Sequence, residues 1–358
     1  MKITDLTLRN VRWPLSDGGN STLGVVEITT DEGISGHSFL GTTWRGAQFD
    51  SPFLIEVAKP LLVGRDPLQI GGIWNGLFGS RREVSMRAIG AVDVALWDIA
   101  GKRAGLPVHQ LLGSVRSEVP AYGSTGGLAG PAEYANEASK YAETGWQAYK
   151  IHPTRDPEID IDIVRVVRTA VGDGMVLMLD PVSGYSYEDA LRVGLVLDEL
   201  EFEWFEDPIA DADLHGYRRL RDKINTPVMA TEYAPGGFHG MQAWITQQAT
   251  DMLRGDVTVK GGITPLMKIA HLAEAFGMRC EIHHAGNALA NIANLHVTMA
   301  ISNCKYYEVI VNEQAYEFGL KSVPTVDGNG MIHAPQTPGI GAQIDFDTLD
   351  DHTESIVD

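Results

Sequence analysis

"MVLMLDPVSGY", residues 175–185, reads as a buried strand, because a short apolar run is closed by turn residues. Yet the run ends on a carboxylate, Asp180, with a proline directly behind it. Burying an acid is costly unless it is paired or bound to a cation, so the position needs a reason. Reading outward supplies one. "FEWFE" (202–206) ends on Glu206, 26 residues after Asp180, and "VMATE" (228–232) ends on Glu232, 26 residues later again. Asp256 in "MLRGD" follows after 24 residues, His283 in "MRCEIH" after 27 and Glu308 in "KYYEVI" after 25. On the N-terminal side, "WQAYKIH" (146–152) carries Lys150 and His152 at its end, and "VPAYGST" (119–125) carries Ser124.

Helical patterns fill the intervals, among them 132–145, 157–172, 187–200 and 263–277. Eight strands alternating with helices predict a parallel sheet closed into a TIM-type (β/α) barrel, an α/β fold. In such a barrel the C-terminal ends of all strands meet at one mouth, where the catalytic groups sit. A repeat of about 25 residues therefore returns one polar group per unit to the same rim, and Asp180 ends its strand because the core gives way there to a site. Asp207 and Asp213, next along the chain, read instead as capping or surface residues.

The flanks differ in pattern. Residues 1–115 begin with strand-like runs and continue as helices, giving an α+β capping domain. The barrel is assigned to 116–320, and the Gly- and Pro-rich tail 321–358 is expected to pack back on the capping domain. The loops 15–22 and 40–48 are candidate lids, with Trp44 and Arg45 as substrate contacts. The Gly pairs 236–237 and 261–262 lack a phosphate-loop context and read as turns.

Composition narrows the partners. With 28 Lys and Arg against 47 Asp and Glu, the net charge is −19, which argues against nucleic-acid and anionic-membrane surfaces. No apolar stretch is long enough to span a bilayer, and residues 1–12 do not resemble a secretory signal, so a cytoplasmic protein is expected. Cys280 and Cys304, the only cysteines, suit small buried positions better than a disulfide framework. The expected partner is a small-molecule carboxylate.

Asp180, Glu206 and Glu232 offer hard oxygen ligands from three successive strands, a set suited to Mg²⁺ and not to zinc. Crowded together they repel one another, and a divalent cation removes that penalty while leaving positions open for a substrate carboxylate.

The motifs "GISGHSFL" (33–40), "AYKIH" (148–152), "LMLD" (177–180), "WFEDP" (204–208), "ATE" (230–232), "DVTVKGGIT" (256–264), "FGMRCEIHH" (276–284) and "YYEV" (306–309) occur in order. By them the chain resembles the enolase superfamily, in its mandelate racemase-like branch, over nearly its whole length. The resemblance implies Mg²⁺ on Asp180, Glu206 and Glu232, and Asp256 with His283 as an acid/base dyad. It implies that Glu308 hydrogen-bonds a substrate carboxylate as it becomes an enediolate. A His or Lys base working with Mg²⁺ is inherited from the family here. The histidine of the dyad is taken as His283, and His284 as a rim residue.

Two departures stand out. Where the family often has lysine, any residue, lysine, this chain has Lys150, Ile151, His152. Two residues apart on a strand share a face. Lys150 is expected to pair with the substrate carboxylate and to keep His152 neutral by like-charge repulsion. Val182 also stands where many relatives place a substrate-binding Asn. The expected activity is proton abstraction α to a carboxylate, by an acid-sugar dehydratase first, then a cycloisomerase of an anhydro- or lactone-type sugar acid, then a racemase or epimerase. A non-catalytic sugar-acid sensor is the rival from another class. Relatives imply a homo-oligomer, dimer or octamer.

Overall fold

The computed structural model describes residues 1–15, 18–80, 85–311 and 314–358. Three antiparallel strands open the chain: β1 (Ile3–Pro14), β2 (Asn20–Thr30) and β3 (Gly36–Leu40). The barrel strands follow, each separated from the next by a helical segment: β4 (Glu118–Ser124), β5 (Ala148–Ile151), β6 (Val176–Leu179), β7 (Trp204–Glu206), β8 (Val228–Ala230), β9 (Met252–Gly255), β10 (Arg279–Ile282) and β11 (Tyr307–Ile310). Two short strands, β12 (Met331–His333) and β13 (Thr353–Val357), end the chain.

The parallel ladder runs β10-β9-β8-β7-β6-β5-β4-β11, a nearly closed ring. β13 pairs with β1 and completes the capping sheet, whereas β12 pairs antiparallel with β4 under the barrel. The tail thus touches both parts.

Side-chain alternation splits each barrel strand between two cores. Leu177, Leu179, Phe205, Val228 and Leu253 face outward into the helix layer. Tyr122, Ala148, Met178, Trp204, Met229, Met252 and Tyr306 face inward and fill the barrel floor. Burial on both faces is why "VLML" reads as a continuous apolar run. The capping sheet packs its own core, including Leu6, Leu8, Val26 and Ile28, on the helices Ile70–Gly79 and Met86–Ala104.

Asp93, buried in the helix Met86–Ala104, ties this cap to the barrel. Its Oδ2 accepts from the Thr264 N–H at 2.9 Å, at the start of the helix Ile263–Ala275. Gly262, with φ 117°, is required there, because a Cβ would lie 2.3 Å from that oxygen. Burial pushes the Asp93 carboxyl up to about 7 from an ordinary 3.8. Its contribution to stability is therefore most favourable below 3.8, falls as the pH rises from there to about 7, and is constant above. Asp93→Asn is expected to flatten the dependence of Tm on pH between 5 and 8. An unchanged slope in calorimetric scans would rule this assignment out.

Candidate active site

The same alternation decides which side chains reach the mouth. Two residues beyond the floor positions stand Ser124, Lys150, Asp180, Glu206, Arg254 and Glu308, all buried. On β8 the rule fails, because two beyond Met229 is Thr231 and not Glu232. Thr231 adopts φ 93°, a costly conformation for a β-branched residue. Its hydroxyl donates to the Arg254 carbonyl and accepts the Arg254 N–H, each at 3.0 Å, and the following Glu232 lines the cavity.

On β10, Cys280 and Ile282 pack outward, so His283 points inward. His284 takes the other face. It is no rim residue: its ring is buried 4.0 Å from that of Tyr307, neither ring nitrogen has a hydrogen-bond partner among the described residues, and burial pushes its pKa down to about 3. His284 is a neutral packing residue whose backbone N–H donates to Glu308 Oε2 at 3.0 Å.

The mouth holds a cavity of about 810 Å³, lined by His152, Asp180, Glu232, His283 and Glu308 among others. His283 Nδ1 hydrogen-bonds Asp256 Oδ2 at 2.5 Å, and its Nε2 lies 3.4 Å from Glu232 Oε1. Asp256 is braced by the Val259 N–H at 2.6 Å, and the His283 carbonyl by Asn294 Nδ2 at 2.9 Å. Burial works against a charged His283, but Glu232 and Asp256 outweigh it and raise its pKa to about 9.

His152 enters from β5, five strands along the ladder from β10, and so faces His283 across the mouth. Its Nδ1 donates to the Thr125 carbonyl at 2.6 Å, and its Nε2 lies 3.0 Å from Asp180 Oδ2. Ser124 Oγ is 3.4 Å from the same Nδ1 but is enclosed and does not line the cavity.

Lys150 differs from its expectation. It is fully enclosed, outside the cavity lining, with Nζ 3.2 Å from Asp180, 3.1 Å from Glu206 and 2.8 Å from Glu308. Its charge is thus committed to carboxylates and not to repelling His152, whose nearest charged partner is Asp180.

Lys260 is also buried but donates to the Thr231 carbonyl, whereas Arg254, which the pattern of carboxylates did not predict, is the second cation buried among them. It ion-pairs through Nε with Glu206, lies 3.5 Å from Glu232 Oε2, and contacts Glu308 Oε2 at 2.5 Å. Two residues before Asp256, it shares that residue's face, and this was the available signal. Glu308 is ionised: burial opposes its charge, but Arg254 and Lys150 hold its pKa well below the usual range. In this state it accepts hydrogen bonds and has none to donate.

Asp207, expected at the surface, is buried at φ 33° and lines the cavity; burial, with Glu232 and Glu206 nearby, raises its pKa well above the carboxylate range. Asp213 does cap a helix, accepting from the Gly216 N–H at 2.8 Å. Of the lid candidates, Trp44 lines the cavity and is 75% exposed, whereas Arg45 is exposed outside it. The loop 15–22 includes Ser16 and Asp17, which lie outside the described residues. Val182, at φ 52°, lines the cavity.

The charges do not balance. Asp180, Glu206, Glu232, Glu308 and Asp256 face the cations Lys150 and Arg254, with His283 shared between Glu232 and Asp256 and His152 beside Asp180. Burial, with Asp180 and Glu308 adding to it against the two cations, pushes Glu206 up to about 7. A buried excess of negative charge on hard oxygen donors fits a divalent cation.

A parallel barrel whose mouth pairs a carboxylate set with an Asp–His dyad, under an antiparallel cap, is the frame of an acid/base enzyme acting on a small anion. Residues 4–113 match the mandelate racemase / muconate lactonizing enzyme N-terminal domain, and residues 133–348 match the enolase C-terminal domain-like family. The chain belongs to the mandelate racemase/muconate lactonizing enzyme branch of the enolase superfamily. It is 30% identical to D-galactarolactone cycloisomerase of Agrobacterium fabrum, over 91% of this chain and 89% of that one. It is 29% identical to arabinonate dehydratase of Saccharolobus solfataricus, over 81% and 79%. The structure of D-glucarate dehydratase from Agrobacterium tumefaciens complexed with magnesium superposes with TM-score 0.91 at 34% identity, covering 99% of this chain and 100% of that one.

Proposed function

We propose that the protein is a Mg²⁺-dependent enzyme that removes the proton α to the carboxylate of a sugar acid, most directly an acid-sugar dehydratase. The observation that carries this reading is the His283–Asp256 pair, at 2.5 Å, with His283 opening on the same cavity as Asp180 and Glu232. Asp180, Glu206 and Glu232 would hold the cation, which supplies positive charge to polarise the substrate carboxylate.

The chain's own residues do the rest. Asp256 fixes the imidazole so that Nε2 faces the cavity, where the neutral ring, the minor form until the pH approaches 9, takes the α proton. Glu232, 3.4 Å from Nε2, favours the protonated ring that results. His152, on the far wall, is placed to give a proton to the departing β-hydroxyl, so that water leaves and an enol of a 2-keto-3-deoxy acid remains. Lys150 and Arg254 hold Glu206 and Glu308 in register by ion pairs that solvent does not reach. Trp44, from the loop 40–48, lines the mouth and would help select the sugar. We also take the protein to be cytoplasmic and a homo-oligomer; no helix among the described residues is long and apolar enough to cross a membrane.

The test is a panel of aldonic, aldaric, uronic and anhydro-sugar acids incubated with the protein and Mg²⁺, with 2-keto acids detected as semicarbazones. Metal-dependent 2-keto acid supports the dehydratase. An isomeric product without loss of water assigns a cycloisomerase or epimerase instead, and binding without turnover assigns a sensor.

A further inference from the structure

Three residues beyond His152, Arg155 occupies a place that the reaction above does not use. Its backbone has φ 72°, a conformation uncommon for a residue with a side chain. The aliphatic stem lies against Gly184, in the loop that follows Asp180: a Cβ at Gly184 would sit 2.7 Å from both Cγ and Cδ of Arg155. The chain therefore accepts backbone strain at one position and a missing side chain at another, and both place this arginine. It lines the same cavity of about 810 Å³ as His152 and His283. Among the described residues it has no hydrogen-bond or ion-pair partner, unlike the enclosed Lys150 and Arg254.

Apart from the two histidines and the tyrosines, the other ionisable side chains of the lining are carboxyls, with Asp211 beside Asp180, Asp207, Glu232 and Glu308. One free guanidinium in such a cavity is a binding point for a second anionic group on the substrate, because its planar fork matches a carboxylate.

We propose that Arg155 recognises the distal carboxylate of a sugar diacid, so that the substrate is an aldaric acid or its monolactone and not an aldonic acid. This rests on the acid-sugar reading above and deepens it. One end of the molecule is handled at the carboxylate set and the His283–Asp256 pair, while the other end pairs with Arg155. The hydroxyls between face the acidic walls.

The experiment compares kcat and KM for hexaric acids and for hexonic acids of the same configuration. In the wild-type protein the diacids are expected to be preferred. Arg155→Gln is expected to raise KM for a diacid by about 10- to 100-fold, the loss of one charge-assisted pair, with kcat changed little and monoacid kinetics unchanged. Arg155→Lys restores part of the affinity. Calorimetric titration of both acids into the His283→Asn protein with Mg²⁺ provides dissociation constants independent of turnover. A wild-type preference for monoacids, or equal effects of Arg155→Gln on both classes, overturns the proposal and leaves the acid-sugar reading standing. Failure of the wild type to exchange or dehydrate either class removes the acid-sugar reading, and this inference with it.

Discussion

His283→Asn is expected to lower turnover by about 10³-fold or more while leaving Mg²⁺ affinity within a factor of two or three of wild type. General-base removal costs about 10²- to 10⁴-fold where proton transfer limits the reaction. Asn keeps a polar group of similar reach but has no nitrogen able to take a proton. The loss is local, because Asp256 retains the Val259 N–H at 2.6 Å and, of the proposed cation ligands, Glu232 alone approaches His283, at 3.4 Å, with no ligand oxygen removed by the substitution. Steady-state kinetics and calorimetric metal titration on one preparation read both quantities. Turnover within tenfold of wild type would remove His283 from the mechanism.

Glu232→Gln is expected to weaken Mg²⁺ binding by about 100-fold or more and to abolish turnover at micromolar metal. Outer-sphere partners of a metal already contribute about 10- to 100-fold to affinity, and a direct ligand contributes at least as much. Glu232 is the better probe of the three carboxylates because its side chain is 12% exposed and its contact to Arg254 is long, at 3.5 Å. Glu206 is fully enclosed and ion-paired with both Lys150 and Arg254. Removing its charge would strand buried cations at a cost of about 3–5 kcal/mol, so lost metal binding would be confounded with unfolding. Circular dichroism on Glu232→Gln should match wild type. Metal affinity equal to wild type would contradict the ligand assignment.

The barrel was legible because its signal is redundant: eight strands at a near-constant spacing, each ending in a polar group, make the rim positions Asp180, Glu206, Asp256, His283 and Glu308 readable by period alone. Parity along β10 also separates His283 from His284. What escaped depended on features without a period. Arg254 lies on the readable face of β9, yet a cation among expected metal ligands has no place in a pattern of carboxylates. Arg155 stands in a loop, and only the missing Cβ of Gly184 and the positive φ reveal its placement. Glu232 reaches the cavity through the backbone reversal at Thr231, which alternation does not foresee. Lys150 was placed on the correct face, but sequence could not show that three carboxylates would enclose its charge before any substrate arrives.

The proposed reaction is removal, in this cavity, of a proton α to a carboxylate with the help of a divalent cation. The most direct measurement is proton NMR in D₂O of aldonic and aldaric acids with the wild-type protein, with Mg²⁺ and again after EDTA. Loss of the α-proton signal of at least one acid, or its conversion to a deuterated 2-keto-3-deoxy product, is expected only when Mg²⁺ is present and not with His283→Asn. Binding of these acids to the Mg²⁺-loaded protein while the α proton of every one of them persists, or exchange that survives EDTA unchanged, would contradict it.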